Sequence, residues 1–573
     1  MVPIKSALTK NAKKRGVIFL KKTFYSKTFH FKMLAFMTAI LILGMFAVGC
    51  TNNVDSSNGS PDEKVSEKDG KDNADSKEAK GETKKDGPVT LTCFWNMDAK
   101  ASMSMKSYKE IACFKEAEKA AGVNIKWMHP PAGQATEQFN LMMGSQEFPD
   151  LVYWDWRTVS GGPVKAIEDG SILKLNDIID DYAPNYKAVL EANPDWKKDA
   201  ILDDGTLYMF PFIRGDENLR IPGGFQIRKD WLDELQLEIP KTIDDWYTVL
   251  TAFRKNDMNH NGNSNDELPF VSAGLGNIAN FAKAWGITNG FYKSGDQVKY
   301  GPVQPEYEDF LKTMAKWYKE GLMDPDFAAT DGTNFDAKVS GSLGGSYYGA
   351  IFGNMGRFTQ SVRSNQPDFE LAGAPFPIGP AGKSYGYMDP AVMNSGTAIM
   401  SGCKHIEEAA GYLDYGYGEE GHMAFNFGIE GESYTLEDGE PVYTDTITKN
   451  PKLPMTNALI QYAMAIADGP FVQDVRYHWQ NLIYPEQKEA VKTWHESSVP
   501  LNMPPITLTA EESQKFTNIM SEINTYVDEM TTKFIMGEES PDKFDSFVKQ
   551  IKKMKGDEAL KIQQDALDRY HAR

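Results

Sequence analysis

The sequence is poor in the residues that most site chemistry needs. Four cysteines and eight histidines are spread over 573 residues. There is no HExxH stretch and no Cys/His cluster with zinc spacing, which removes the usual zinc-hydrolase and zinc-finger patterns. No GxSxG run marks a nucleophile elbow. The Gly-rich run GSLGGS (341–346) lacks the Lys-Ser/Thr that completes a nucleotide-phosphate loop. Basic side chains are also scarce outside the start of the chain. Residues 1–49 hold nine Lys or Arg and no acidic residue, and the remainder carries 52 basic against 80 acidic side chains, a formal charge of −28. Such a surface repels phosphate backbones and argues against nucleic acid as a partner, and a highly anionic ligand would need a local basic pocket. Beyond residue 50 no stretch is long and apolar enough to span a membrane, and no internal repeat is visible.

The one long apolar run is MLAFMTAILILGMFAVGC (33–50), preceded by the basic start. About sixteen mostly apolar residues fit a secretory h-region and are short for a spanning helix. The basic stretch before Met33 is long, which makes Met33 a candidate start. The run ends Ala47-Val48-Gly49-Cys50. It resembles the bacterial lipobox, in which the cysteine becomes the lipidated first residue of the mature protein; here Ala47 stands where Leu is usual. The alternative is an uncleaved signal anchor. Residues 51–87 have almost no apolar side chains and cannot bury enough surface to offset ordering entropy, so a disordered tether is expected. Together these segments describe an exported body held by Cys50 at the outer face of the cell membrane. Of the other cysteines, Cys93 and Cys113 fall in apolar settings and read as buried free thiols, with a Cys93–Cys113 disulfide as the alternative.

From residue 89 the pattern alternates. VTLTCFW (89–95), VNIKW (123–127) and DLVYWDW (150–156) read as strands, separated by helical stretches at 107–122 and 136–150. This β-α-β-α-β order predicts a parallel sheet with helices on its faces, whose ligands lie beyond the carboxyl ends of the strands. A second unit follows. Phe225 and Ile227 alternate in a strand, Pro240 breaks the chain, and Thr242 with Asp245 forms a capping box for a helix whose buried face is Ile243, Trp246, Leu250 and Phe253. Directly after it comes DMNHNGNSNDEL (257–268), with oxygen-bearing side chains at alternate positions and Gly262 among them. Asp257, Asn259, Asn261 and Gly262 fit an EF-hand calcium loop, but its twelfth position is Leu268 rather than Glu. The C-terminal third carries helical periodicity near 405–418, 454–467, 511–536 and 541–571.

Four passages carry a resemblance to the extracellular solute-binding lipoproteins of bacterial ABC importers, and within them to the large oligosaccharide-uptake lipoproteins of Gram-positive bacteria. They are the lipobox, GSQEFPDLVYWD (144–155), IRKDWLDELQLEIPKTIDDWYTVLTAFRKND (227–257) and the Asp/Asn-rich loop ending in Glu267-Leu268-Pro269. DDGTLYMFPF (203–212) also looks like that family's crossing strand. The resemblance implies two α/β lobes of the periplasmic-binding-protein type with a helix-rich C-terminal third. It implies reversible capture of an oligosaccharide or similar solute in the inter-lobe cleft, delivery to membrane permease subunits, no catalysis, and a monomer. Lobe limits are expected at 88–215 with 345–410 for the first and 216–344 with 411–573 for the second, after a signal peptide (1–49) and tether (50–87). The family's calcium loop is compact and closes on an Asp-Glu pair. Here that implies structural Ca2+ on Asp257, Asn259, Asn261, Asn263, Asp266 or Asn265, and Glu267, with one extra residue before the pair.

Sugar rings present apolar C–H faces, so a carbohydrate cleft needs aromatic platforms and a few polar groups. The candidates are Trp95, Trp154, Asp155 and Trp156 in the first lobe, Tyr347, Tyr348, Asn354 and Arg357 in SYYGAIFGNMGRF (346–358), and Tyr387 with Tyr385 and Asp389 in SYGYMDP (384–390). For each aromatic the competing reading is core packing, which is also the expectation for Trp231 and Trp246. A glycosidase, needing only two carboxylates at the right separation, and a surface sensor or adhesin on the same scaffold are the rival functions.

Overall fold

A computed structural model describes residues 87–497 and 499–573 of the chain. The expected signal peptide, Cys50 and most of the tether lie outside the described residues. Eight strands build the two main sheets: β1 (Val89–Phe94), β2 (Val123–Met128), β3 (Leu151–Asp155), β4 (Phe210–Ile213), β5 (Gly223–Arg228), β6 (Ser346–Ala350), β7 (Leu371–Ala374) and β8 (Val392–Ile399). The first sheet has the order β2-β1-β3-β8-β4, and the second is β6-β5-β7.

The predicted β-α-β-α-β unit is present. β1 pairs in parallel with β2 and with β3. The crossovers are α1 (Ala112–Ala121), which ends on the left-handed Gly122 (φ 66°), and α2 (Ala135–Ser145). Alternate side chains feed two cores on opposite faces of this sheet: Leu91, Cys93, Leu151 and Tyr153 on one, Phe94, Val152 and Trp156 on the other. β8 then adds antiparallel to β3, and β4 antiparallel to β8. Cys93, Cys113 and Cys403 are buried free thiols.

The second lobe is centred on β5, every residue of which is buried. Helix α3 (Ile243–Lys255) begins with the expected capping box of Thr242 and Asp245 and buries Trp246, Leu250 and Phe253. α4 (Pro485–Glu496) lies against the sheet at unusually close range, in a slot made by glycines. A Cβ on Gly224 would stand 2.6 Å from the Trp494 indole, and one on Gly373 would stand 2.5 Å from the Ala490 Cβ. Trp494, fully buried, donates its Nε1 hydrogen to Phe225 O (3.3 Å) and Ala374 O (3.1 Å) and so spans β5 and β7. The chain ends in α5 (Ala510–Met536), α6 (Phe544–Lys553) and α7 (Gly556–Ala572). The periodic stretch 541–571 is broken at Lys555, whose φ of 69° ends one helix before the next begins. The stretch 454–467 is helical only over Met455–Leu459, because the N–H groups of Met464 and Ala465 turn to Phe425 O instead.

The lobe limits differ from those expected. Residues 346–376 belong to the second core, because β6 and β7 flank β5. Residues 392–477 belong to the first, because β8 is inserted between β3 and β4. The chain therefore crosses between lobes near 214–221, 377–391 and 472–482. Trp494→Ala should cost about 3–5 kcal/mol, the range for emptying a large aromatic site, with the loss read as a lower urea midpoint. An unchanged midpoint would show that the indole does not hold this sheet to α4.

Candidate functional site

The three crossings run side by side as a hydrogen-bonded ribbon. Ile213 N–H donates to Phe471 O (3.1 Å), Gln473 N–H to Ile213 O (2.8 Å), Arg214 N–H to Ala391 O (2.8 Å) and Asp389 N–H to Arg220 O (2.8 Å). Side chains repeat the links: Arg214 Nη1 donates to Asp389 Oδ2 (2.9 Å) and Arg220 Nε to Asp389 O (2.7 Å). His478, on the third crossing, is buried edge-on to Phe352 of the second lobe, and its Nε2 has no hydrogen-bond partner. Burial, with the Arg214 charge adding to it, pushes its pKa down to about 4, so the ring is neutral at ordinary pH. On the first-lobe side, burial pushes the Asp468 carboxyl up to about 6, with Asp98 adding negative charge.

The second lobe contributes a pocket of about 730 Å³ lined by Pro222, Gly223, Asn277, Phe335, Asp336, Tyr348, Ala350, Asn354 and Arg357. The fold brings three predicted site residues together here. Tyr348 is half-buried and packs edge-on to Phe225. Asn354 accepts the Ala350 N–H through Oδ1 (2.8 Å) and so holds the turn after β6. Arg357 grips Asp336 through two hydrogen bonds of 2.7 Å. The turn between them, Ile351–Gly356, is π-helical, a geometry that often marks functional sites. Beside Tyr348 lies Tyr387, 36% exposed, with the Asp389 charge near its hydroxyl. Between them sits Lys283, only 7% exposed, with the Tyr348, Phe376 and Tyr387 rings at 5.8, 5.5 and 5.8 Å.

The other aromatics are placed differently. Trp156 is enclosed completely, its Nε1 hydrogen donated to Gly396 O (3.1 Å). Trp95 is 4% exposed and stacked on Tyr153 at 4.0 Å between centroids. Tyr347 is 1% exposed, packed between Phe335 and Phe358. These three are core residues rather than surface platforms, because bulky rings at strand ends satisfy packing first. Trp154 is half-buried and stacks on Phe139 of α2 at 4.1 Å, and Asp155 is half-buried with its Oδ1 accepting Arg157 N–H (3.2 Å). Trp231 and Trp246 are core, as expected. Sequence reasoning missed Arg214, Lys283, Asp468 and His478. Lys283 had a signal: it is the one charge inside the apolar run IANFAKAWG (278–286). A larger groove of about 1340 Å³ on the first lobe, with Trp196, Tyr415, Glu419 and His422 among its walls, contains no predicted site residue.

The polar loop after α3 folds on itself. Asp257 accepts Asn261 N–H (3.2 Å) and Gly262 N–H (2.8 Å), Asn259 Oδ1 accepts Asn261 N–H (3.1 Å), Asn261 Oδ1 accepts Asn263 N–H (2.8 Å), and Asn263 Oδ1 accepts Asn265 N–H (3.3 Å). Glu267, 2% exposed, accepts Met258 N–H at Oε1 (2.9 Å). Its Oε2 and Asp266 Oδ1 are buried without any donor. Two orphaned carboxylate oxygens beside a run of amide oxygens fit a hard cation. Among the described residues no three Asp, Glu, His or Cys side chains converge as a metal cage, so asparagine oxygens would have to complete the set.

Residues 102–423 match the family of bacterial extracellular solute-binding proteins. The chain belongs to that family. It is 26% identical over 496 residues to the fructooligosaccharide ABC transporter substrate-binding protein FusA of Streptococcus pneumoniae, covering 83% of this chain and 90% of that one. It is 27% identical over 472 residues to lipoprotein LipO of Bacillus subtilis, covering 78% and 87%. Among solved structures, the alginate-binding protein AlgQ2 without calcium ion superposes with a TM-score of 0.70 at 26% identity, over 84% of this chain and 99% of that one. The fold is thus the two-lobe α/β architecture of solute-binding proteins, and no helix of the described residues is long and apolar enough to cross a membrane.

Asp468 makes a pH prediction. Burial pushes its carboxyl from the ordinary 3.8 up to about 6 in the folded protein. Between those values the native state holds a proton that the unfolded chain has released, so stability falls as pH rises through the window. Asp468→Asn should flatten the Tm profile there; profiles of equal slope for the two proteins would show that the carboxyl is not buried as described.

Proposed function

We propose that this protein captures an oligosaccharide between its lobes, without turning it over, and hands it to the permease subunits of an ABC importer. The observation that carries the reading is the crossing ribbon. It sets the Arg214–Asp389 pair near Tyr348, which walls a second-lobe pocket with Asn354 and Arg357, and packs His478 against Phe352 of the same lobe. Half-buried aromatic surface supplies platforms for sugar C–H faces, while the ion pairs hold donors and acceptors at fixed angles for hydroxyls. The names of the relatives support the class: FusA is a fructooligosaccharide-binding component and AlgQ2 binds alginate. Anchoring through lipidated Cys50 on the extracellular face completes the reading, supported by the lipobox-like Ala47–Cys50 and by LipO being a lipoprotein. Ca2+, held by Asp257, Asn259, Asn261, Asn263, Asp266 and Glu267, staples the loop after α3. None of these residues lines the second-lobe pocket, and the ion takes no part in capture.

The test is a thermal-shift screen of the protein lacking residues 1–87 against oligosaccharides of varied length and charge. A binding sugar at a hundredfold excess over its Kd stabilises by about 2.7 kcal/mol and raises Tm. Stabilisation only by peptides or other solutes would overturn the ligand class, and release of new reducing ends would overturn capture without turnover. For the metal, EGTA should lower Tm in the parent protein, and Glu267→Gln should lower it beforehand and blunt the EGTA effect. A Tm indifferent to the chelator would rule the staple out.

A further inference from the structure

Lys283 is an unusual cation in this molecule. Arg228, the other buried cation among the described residues, pairs with Asp230 (2.5 Å), and the partly buried Lys338 and Arg573 pair with Asp324 (2.7 Å) and Asp203 (2.7 Å). Lys283 has no carboxylate partner among the described residues. Its single hydrogen-bond acceptor is Asn280 Oδ1 (2.5 Å). An ammonium group carries three donors, so two N–H groups are left without a protein acceptor at a nearly buried position. Burial alone accounts for the drop of its pKa to about 8, which is the signature of a charge that lacks an anion.

The surroundings do not look like a place to store a spare lysine stem. Three rings approach the Nζ at 5.5 to 5.8 Å, within range for cation–π attraction, yet ring faces accept no strong hydrogen bond. One of these rings, Tyr348, also lines the second-lobe pocket, and another, Tyr387, stands 36% exposed. Lys283 lies on a 3₁₀ segment, Ala279–Trp285. Three residues per turn puts side chains at i and i+3 in one row, so Asn280 and Lys283 lie one above the other. Two neighbouring arginines are already paired, Arg357 with Asp336 and Arg214 with Asp389.

We propose that Lys283 is the anion-recognising group of the cleft, and that the captured sugar bears a carboxylate, as a uronic acid residue does, which docks on its ammonium group. This rests on the oligosaccharide reading above and narrows it. A single caged cation suits one carboxylate per binding position rather than a dense polyanion, which the charge of −28 outside residues 1–49 would repel. A carboxylate would satisfy both unmet N–H groups at once, and a charge-assisted hydrogen bond is the stronger kind.

The test uses two uronic trisaccharides, an α-1,4-galacturonate and a β-1,4-mannuronate trimer, each beside its carboxyl-reduced neutral counterpart. Affinities are measured by calorimetry on the parent protein, Lys283→Gln and Lys283→Arg. For at least one pair the parent should prefer the acid by about tenfold or more, a difference of about 1.4 kcal/mol. Lys283→Gln should bring the ratio toward one, and Lys283→Arg, which keeps the charge, should retain a preference, with far-ultraviolet circular dichroism confirming that both variants fold. Neutral trimers binding as tightly as acidic ones, or an acid preference that survives Lys283→Gln, would overturn the proposal while leaving the oligosaccharide reading intact. Failure of all four trimers to bind the parent would also overturn the proposal, while the oligosaccharide reading stands or falls on the wider thermal-shift screen.

Discussion

Strand β8 is laid between β3 and β4, and the cleft is built outward from that pairing. The fit is tight at one residue. A Cβ on Gly396 would stand 2.8 Å from Phe210 O and 2.9 Å from Pro211 Cα, so no other residue type allows β4 to come so close. The Gly396 carbonyl also takes the Trp156 indole hydrogen, which locks the second core of the first lobe to the same point. Because β4 ends where the chain leaves the first lobe and β8 begins where it returns, their antiparallel pairing brings the two crossings together. Arg214 then meets both the Ala391 carbonyl and the Asp389 carboxylate. The third crossing joins through Ile213 and Val472. A register slip of one residue would turn every β8 side chain to the other face and scatter the whole polar cluster.

Within that frame the site's charges act through orientation more than through attraction. The Arg214–Asp389 and Arg357–Asp336 pairs are internally neutralised. The exposed Arg357–Asp336 pair gains little net stability in high dielectric, and desolvation offsets most of the Coulomb term in the more buried Arg214–Asp389 pair. What they supply is direction: each guanidinium has a fixed plane and each carboxylate a free lone pair at a known angle. That is the arrangement a polyhydroxyl ligand needs, and it explains how a chain with such an acidic surface can present donors in its cleft.

Legibility in the sequence followed the range of the interactions. α3 was readable because its cap, Thr242 with Asp245, and its apolar face lie within one stretch of chain. The β1-α1-β2-α2-β3 unit was readable because parallel strands and their crossover helices alternate locally. The lobe limits were not, because β8 finds its partners some 180 to 240 positions away, Phe210 and Trp154 against Thr397 and Gly396. Nothing in VMNSGTAI says which sheet it will enter. The burial of the aromatics was not readable for a related reason. Trp156, Trp95 and Tyr347 sit at strand ends, as a ligand platform would, but which face of the sheet is covered is decided by helices elsewhere in the chain. Tyr348 and Tyr347 are neighbours on β6 and alternate by geometry. One reaches the pocket and the other the core, a choice that the sequence leaves open.

The C-terminal helices add a constraint of a different kind. Phe534, Phe544 and Phe547 place them in the second core, yet their last turn is held by the first lobe's chain. Arg569 and Arg573 both engage Asp203 (2.7 Å each), and the Tyr570 hydroxyl donates to Asp199 (2.7 Å). Arg569 also reaches Glu512 at the start of α5 (2.6 Å), so the two ends of the helical segment are tied to one carboxylate pair. The lobes are therefore joined four times: three times through backbone and once through this ionic latch. Rotation of one lobe against the other has to bend the crossing ribbon and work against the latch together. A hinge held at two separate places permits fewer directions of movement than a single strand would, and the surfaces that can face each other across the cleft are correspondingly few. The same restriction keeps the side chains gathered along the crossings, Arg214 with Asp389 and Tyr387 beside them, in one fixed relation to the second-lobe sheet.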